Sequence, residues 1–260
     1  RIDRQSGGNM QLFISRLLAA CLTISLMSSP AISQERTAIK QGFELAADSE
    51  KKILVFRPSV NVGAQSTGGM FEPNAEWTEE AKKNIAIALA ELQTGLGNQV
   101  IEAPEAYGSE AQNLQEHMAL FAAVSHSVIN YQFFVGNRLP TKKRDNKADV
   151  FEWSLGKGVA DLPGASEADY GLFIYNKDAY GSTGRKLFQI AAMLTVGAGV
   201  TSGEHHGFAG LVDLKTGDLL WLNADFAMGG DVRKSDGAQK RVSQLLEEFP
   251  GSELSEEEEK

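Results

Sequence analysis

Two short stretches carry residue types that could do chemistry. The first is Ala179-Tyr180-Gly181-Ser182-Thr183-Gly184-Arg185-Lys186, a glycine-bearing loop between a strand pattern and a helix pattern. It imitates a phosphate loop, which needs a first glycine, a sixth glycine, then lysine and a hydroxyl residue. Here the first position is Ala179, and Arg185 and Lys186 follow Gly184, so the lysine is displaced and the magnesium-binding hydroxyl is missing. The plain reading is a loop leading into a helix. The sharper one is an anion held on backbone N–H groups. The second stretch is Glu204-His205-His206. Neighbouring histidines beside a carboxylate can contribute to a metal site. In an extended chain, however, His205 and His206 face opposite sides. His117 and His126 are no better placed, since nine residues turn a helix through roughly 900°.

The remaining motifs are weaker. Gly197 to Gly203 has one residue too many for a dinucleotide fingerprint and follows a helix pattern where a strand is required. No Gly-x-Ser-x-Gly is present; Gly164-Ala165-Ser166-Glu167-Ala168 is the nearest approach. No catalytic residue, metal site or cofactor is therefore expected. The candidate ligand-binding residues are Asp178, Ser182, Thr183, Arg185, His205 and His206, gathered at strand ends. A metal-assisted hydrolytic site there is the rival to a simple binding role.

The scaffold that must hold these residues reads as α/β. In residues 211–222 two apolar runs flank Lys215-Thr216-Gly217-Asp218, which predicts a hairpin with Gly217 at a positive φ and Trp221 in the core. Residues 53–56 are an apolar run stopped by Arg57-Pro58, a buried strand. Residues 59–73, with Gly63, Gly68 and Gly69, read as a loop. Asn74 is the N-cap of a helix whose stripe is Trp77, Ala81, Ile85, Leu89 and Leu92. Val100 and Ile101 make a second strand. Residues 111–129 form a helix on Leu114, Met118, Phe121, Ser125 and Val128, and 131–135 read as strand or helix end. Residues 150–162 read as a short helix or turn, and 169–175 as a strand. Leu187, Ile190, Ala191 and Leu194 make 187–200 a buried helix. Residues 239–249 close the fold as a helix on Val242, Leu245, Leu246 and Phe249. The expected architecture is a mixed sheet packed against helices, a two- or three-layer sandwich, with a C-terminal hairpin followed by an amphipathic helix.

Outside this body, the 260-residue chain shows an export pattern. Met10 is read as the start, so residues 1–9 are an upstream extension. Arg16 supplies charge, residues 17–27 are mostly apolar, and Ala31-Ile32-Ser33 ends the segment. That combination describes a secretory signal peptide cut after Ser33. An apolar run of this length is too short to span a bilayer. Leu18-Ala19-Ala20-Cys21 also matches a lipobox, although the apolar run continues past Cys21; lipidation at Cys21 stays open. Residues 34–52 read as a linker, 53–250 as one α/β domain and 251–260 as an acidic disordered tail. The net charge of −9 argues against nucleic acid, whose phosphates need a basic face. The one basic stretch, Arg138, Lys142, Lys143 and Arg144, reads as an exposed loop, with a partner surface as its alternative.

Two motifs carry a family likeness: Ala168-Asp169-Tyr170-Gly171-Leu172-Phe173, and Ala209-Gly210-Leu211-Val212-Asp213-Leu214-Lys215-Thr216-Gly217-Asp218-Leu219-Leu220-Trp221. Together with the strand ending in Val55-Phe56-Arg57-Pro58, they resemble a group of bacterial envelope proteins. The group includes curli-secretion lipoproteins, lipoprotein activators of peptidoglycan synthases and related periplasmic lipoproteins. The resemblance runs over roughly residues 53–249. It implies an α/β sandwich that binds or assembles, and it hands over no catalytic residues. The expected role is a non-enzymatic protein of the periplasm, with anchoring to the inner face of the outer membrane left open, binding an envelope or peptidoglycan-associated partner. A subunit of an oligomeric secretion or pore assembly is the open alternative, and with it a homo-oligomer.

Overall fold

A computed structural model describes residues 36–46, 49–96, 98–134, 137, 150–196 and 203–252. The export segment with Cys21, the basic cluster Arg138, Lys142, Lys143 and Arg144, and the acidic tail from 253 lie outside the described residues.

The chain folds as a mixed eight-stranded sheet with helices on both faces. The strands are β1 (Arg36–Ile39), β2 (Lys52–Val55), β3 (Ser59–Gln65), β4 (Phe71–Pro73), β5 (Gln99–Glu102), β6 (Tyr170–Gly181), β7 (Glu204–Asp213) and β8 (Leu219–Asp225). The helices are α1 (Ala75–Leu92), α2 (Ser109–Val128), α3 (Thr183–Val196) and α4 (Ser235–Leu245). The order across the sheet is β1-β8-β7-β6-β2-β5. The long strand β6 organises it. One edge of β6 pairs antiparallel with β7 along ten residues, from Tyr170 opposite Asp213 to Ala179 opposite Glu204. Its other edge is shared by two parallel strands in series, β2 beside Tyr170–Leu172 and β3 beside Tyr175–Gly181. Arg57-Pro58 makes the break between them, because proline has no N–H to give the ladder.

Period-two alternation sorts the core into two layers. Ile53, Val55, Leu172, Ile174, Ala209, Leu211 and Trp221 face α1 and α4. Leu54, Phe56, Phe173, Phe208, Val212 and Leu222 face α2 and the irregular segment carrying Phe151, Leu155 and Val159. The result is a three-layer sandwich. Asn74 caps α1 as its sequence position predicts: its side chain accepts from the Trp77 N–H at 2.9 Å.

The C-terminal hairpin forms over the expected residues. The Asp213 carboxylate accepts from the backbone of Lys215 and Thr216 at 2.9 and 2.8 Å, and Gly217 takes φ 80°. Trp221 is fully buried.

Three readings are corrected and one open alternative is decided. Residues 36–39, taken as linker, form edge strand β1 antiparallel to β8. Residues 59–73, taken as a loop on the strength of their glycines, form the β3–β4 hairpin. The alternation of buried Val60 and Val62 with exposed Asn61 outweighs the glycines. Of the two alternatives for residues 131–135, strand or helix end, the described part takes the second: Ile129–Phe133 form one wide helical turn continuing α2. The helix expected to be buried from Leu187 onward is α3, and its Leu187, Phe188, Ile190, Met193 and Leu194 are all exposed. α3 is inserted in the chain between β6 and β7.

Candidate functional site

The inward face of β6 changes character along its length. Leu172 and Ile174 are apolar; Asn176 and Asp178, next on the same face, are polar and fully buried. Strand β7 brings His205 opposite Asp178. Helix α4 brings Arg241, which four residues before Leu245 lies on the apolar stripe of that helix and is itself without exposure. These side chains close on one another. Arg241 Nη1 donates to Asp178 Oδ2 at 2.8 Å and Nη2 to Asp178 Oδ1 at 3.0 Å. Nη1 also donates to Asn176 Oδ1 at 2.6 Å, while Nε and Nη2 donate to the carbonyls of Gly229 and Gly230 at 3.2 Å. His205 Nδ1 lies 2.6 Å from Asp178 Oδ1, and the Asn176 amide donates to Oδ2.

Burial pushes the Asp178 carboxyl up. The hydrogen bond from His205 and the charge of Arg241 outweigh it, so the group is held below the usual carboxylate range. A buried carboxylate survives when it is paired and its lone pairs are filled, and both conditions are met. A second, shallower cluster adjoins it. The Arg233 guanidinium lies 3.8 Å over the Tyr180 ring and 4.5 Å over Trp77, and forks onto Asp231 at 2.8 and 2.9 Å. Those bonds hold Asp231 well below the carboxylate range. Burial and the charge of Asp178 push the Tyr180 hydroxyl far up, and it accepts from the Val232 N–H at 3.1 Å.

The predicted site residues separate. Asp178 and His205 meet. His206, the next residue, lies on the other face of the sheet, stacked on Tyr175 at 6.4 Å between ring centres. Burial, with the charge of Lys177, lowers its basicity. Ser182 accepts from the Arg185 N–H at 3.2 Å and so caps the start of α3, with Thr183 exposed beside it. Arg185 reaches back to the Thr67 carbonyl at 3.3 Å, tying α3 to the β3–β4 turn. Among the described residues no group of three metal-ligating side chains converges.

Asn176 and Arg241 went unnoticed in the sequence. The signal was present, since both sit on positions whose periodicity demands an apolar residue. As chemistry, the arrangement is a closed ion-pair network. The Asp178 carboxylate has two hydrogen-bond partners on each oxygen, so its lone pairs are filled.

Two cavities lie elsewhere, at the carboxyl ends of β2 and β5. One of about 630 Å3 is lined by Phe56, Arg57, Lys83, Leu89 and Glu102 among others. A smaller one of about 220 Å3 adjoins it across Arg57 and Ala103, beneath α2.

No family model and no curated protein matches the chain. Among solved structures, the chain is similar to the PelC dodecamer from Paraburkholderia phytofirmans, at 14% identity and a TM-score of 0.34, over 82% of this chain and 95% of that one. A second PelC dodecamer from that organism, carrying one substitution, gives 13% identity and a TM-score of 0.33, over 83% and 96%. Superposition this loose transfers neither fold nor function.

Proposed function

We propose that this chain is a non-enzymatic protein of the bacterial envelope that docks on a protein partner through α3 and so supports an envelope assembly. One observation carries the reading. Leu187, Phe188, Ile190, Met193 and Leu194 are 62, 48, 56, 60 and 81% exposed on a single helix. A helix apolar on nearly every side is normally buried, and an exposed apolar patch of this kind marks an interaction site. At 14 residues α3 is about 21 Å long, short of a bilayer core. Its only charges are Arg185 and Lys186 in the first turn, within a chain of net charge −9. An acidic protein surface fits that end, and a second copy of this chain would offer one. The export pattern of residues 10–33 and the resemblance to envelope lipoproteins support a partner in the periplasm or at the outer membrane.

The test is association. Light scattering on the purified chain, and capture from envelope extract, are compared between the natural chain and Leu187→Glu/Leu194→Glu. A defined oligomer or a reproducible envelope partner that the double variant loses supports the proposal. A monomer with no partner, or a partner retained by the variant, overturns it.

A further inference from the structure

The larger cavity sits where the chain itself opens a crevice. Strands β2 and β5 are parallel neighbours. The chain leaving β2, by way of the β3–β4 hairpin, reaches α1 on one face of the sheet, and the chain leaving β5 reaches α2 on the other. Adjacent parallel strands whose connections part to opposite faces leave a gap at their carboxyl ends, the usual seat of a ligand in open α/β sheets. Arg57 and Ala103 line both cavities, one on each side of that gap. At about 630 Å3 the larger is of the size that small-molecule sites occupy.

Its walls carry charge in a specific way. The Glu79 carboxylate is paired with Lys82 at 2.7 Å, and Arg57 with Glu105 at 2.6 Å. Glu105 also accepts from the Tyr107 hydroxyl. Two lining charges remain outside any close ion pair among the described residues: Lys83 on α1 and Glu102 at the end of β5, the latter attracting Arg57 only at longer range. They have opposite sign and come from different elements of the lining, a helix and the end of a strand. The same lining includes the apolar Val55, Phe56, Pro58, Ala86, Leu89 and Ala103. A lone anion would leave Glu102 facing it, and a neutral apolar ligand would leave both charges desolvated without a partner.

We infer that the crevice between β2, β5 and α1 binds a small zwitterion with an apolar body, a free apolar amino acid or a short apolar peptide. Its carboxylate lies at Lys83, its ammonium at Glu102, and its side chains cover Phe56 and Leu89. This site is separate from α3 and stands or falls without it.

The probe is leucyl-leucine, titrated into the ¹⁵N-labelled full chain and followed by amide chemical shifts. The expected result is saturable shifts at Arg57, Lys83 and Ala103. N-acetyl-leucyl-leucine amide, with both ends blocked, binds at least tenfold more weakly. Lys83→Gln and Glu102→Gln each weaken binding about tenfold, and both sites are exposed, so the thermal midpoint stays put. Lys83→Glu combined with Glu102→Lys recovers part of the loss, because the ligand can bind reversed. Equal binding of the blocked peptide, unchanged affinity in both single variants, or shifts confined to α3 would each overturn the inference.

Discussion

Arg241 lies across Asp178 in a two-point fork, with neither side chain exposed, and this fork joins α4 to the centre of the sheet. Removing one partner leaves the other charge buried and alone, which costs about 3–5 kcal/mol. Arg241→Met and Asp178→Leu should each lower the urea unfolding free energy by that order. The double variant should lose less than the sum, since it buries no orphan charge. A double-mutant cycle reads the coupling. Strict additivity would show that the fork is not the joint described here.

The same carboxylate sets an acid limit. The folded Asp178 sits below its unfolded counterpart, which titrates near pH ~3.9. A depressed acid contributes stability that is present above the unfolded value and lost as pH falls through the folded one. Asp231 acts in the same direction. His206 adds an earlier step: burial lowers its basicity, so the unfolded chain takes up that proton first, and stability declines as pH drops below about 6.5. Unfolding midpoints from pH 8 downward should fall in two stages. His206→Gln should remove the upper stage and leave the lower one in place.

Much of this frame was legible. The N-cap at Asn74, the strand around Leu172 and the hairpin at Gly217 are local signals, and local signals survive in the fold. The site was legible only in part. Asp178 and His205 stood out because acids and histidines are expected to do chemistry. Their contact depends on the register of β6 against β7, which no single stretch encodes. Arg241 was hidden by its helix, where one cation among apolar stripe residues passes for a surface position. The fate of α3 was misread for a physical reason. Hydrophobicity tells that a helix wants to be buried, and says nothing of whether its own chain or another does the burying. The β3–β4 hairpin was missed because Gly63, Gly68 and Gly69 suggested a loop, yet Gly63 is needed where Phe71 and Glu72 cross close by.

Gly217 gives a sharp test of the hairpin. Its φ of 80° disfavours any side chain, and a Cβ there would lie 2.0 Å from the Gly156 carbonyl oxygen. Leu155 N–H also donates to the Gly217 carbonyl at 2.8 Å, so the turn cannot move off alone. Gly217→Ala should destabilise by more than the ~1 kcal/mol of an ordinary left-handed position. Thermal melts against Gly42→Ala make the comparison. Gly42 has a similar φ of 77° but nothing within 4 Å of the added carbon. Equal losses at the two positions would mean that the packing of Gly156 on the turn contributes nothing.

The last prediction separates folding from association. Leu187, Phe188, Ile190, Met193 and Leu194 of α3 are all exposed, so polar substitutions at these positions should leave the unfolding free energy within about 0.5 kcal/mol. Leu194→Glu is the cleanest case, at 81% exposure. Phe173→Ala, fully buried against Phe56 and Phe121, should cost about 3–5 kcal/mol. If α3 is a docking element, Leu194→Glu changes hydrodynamic size or partner capture at unchanged chemical stability. A large loss of stability from Leu194→Glu in the monomer would instead mean that α3 folds back onto its own chain in solution.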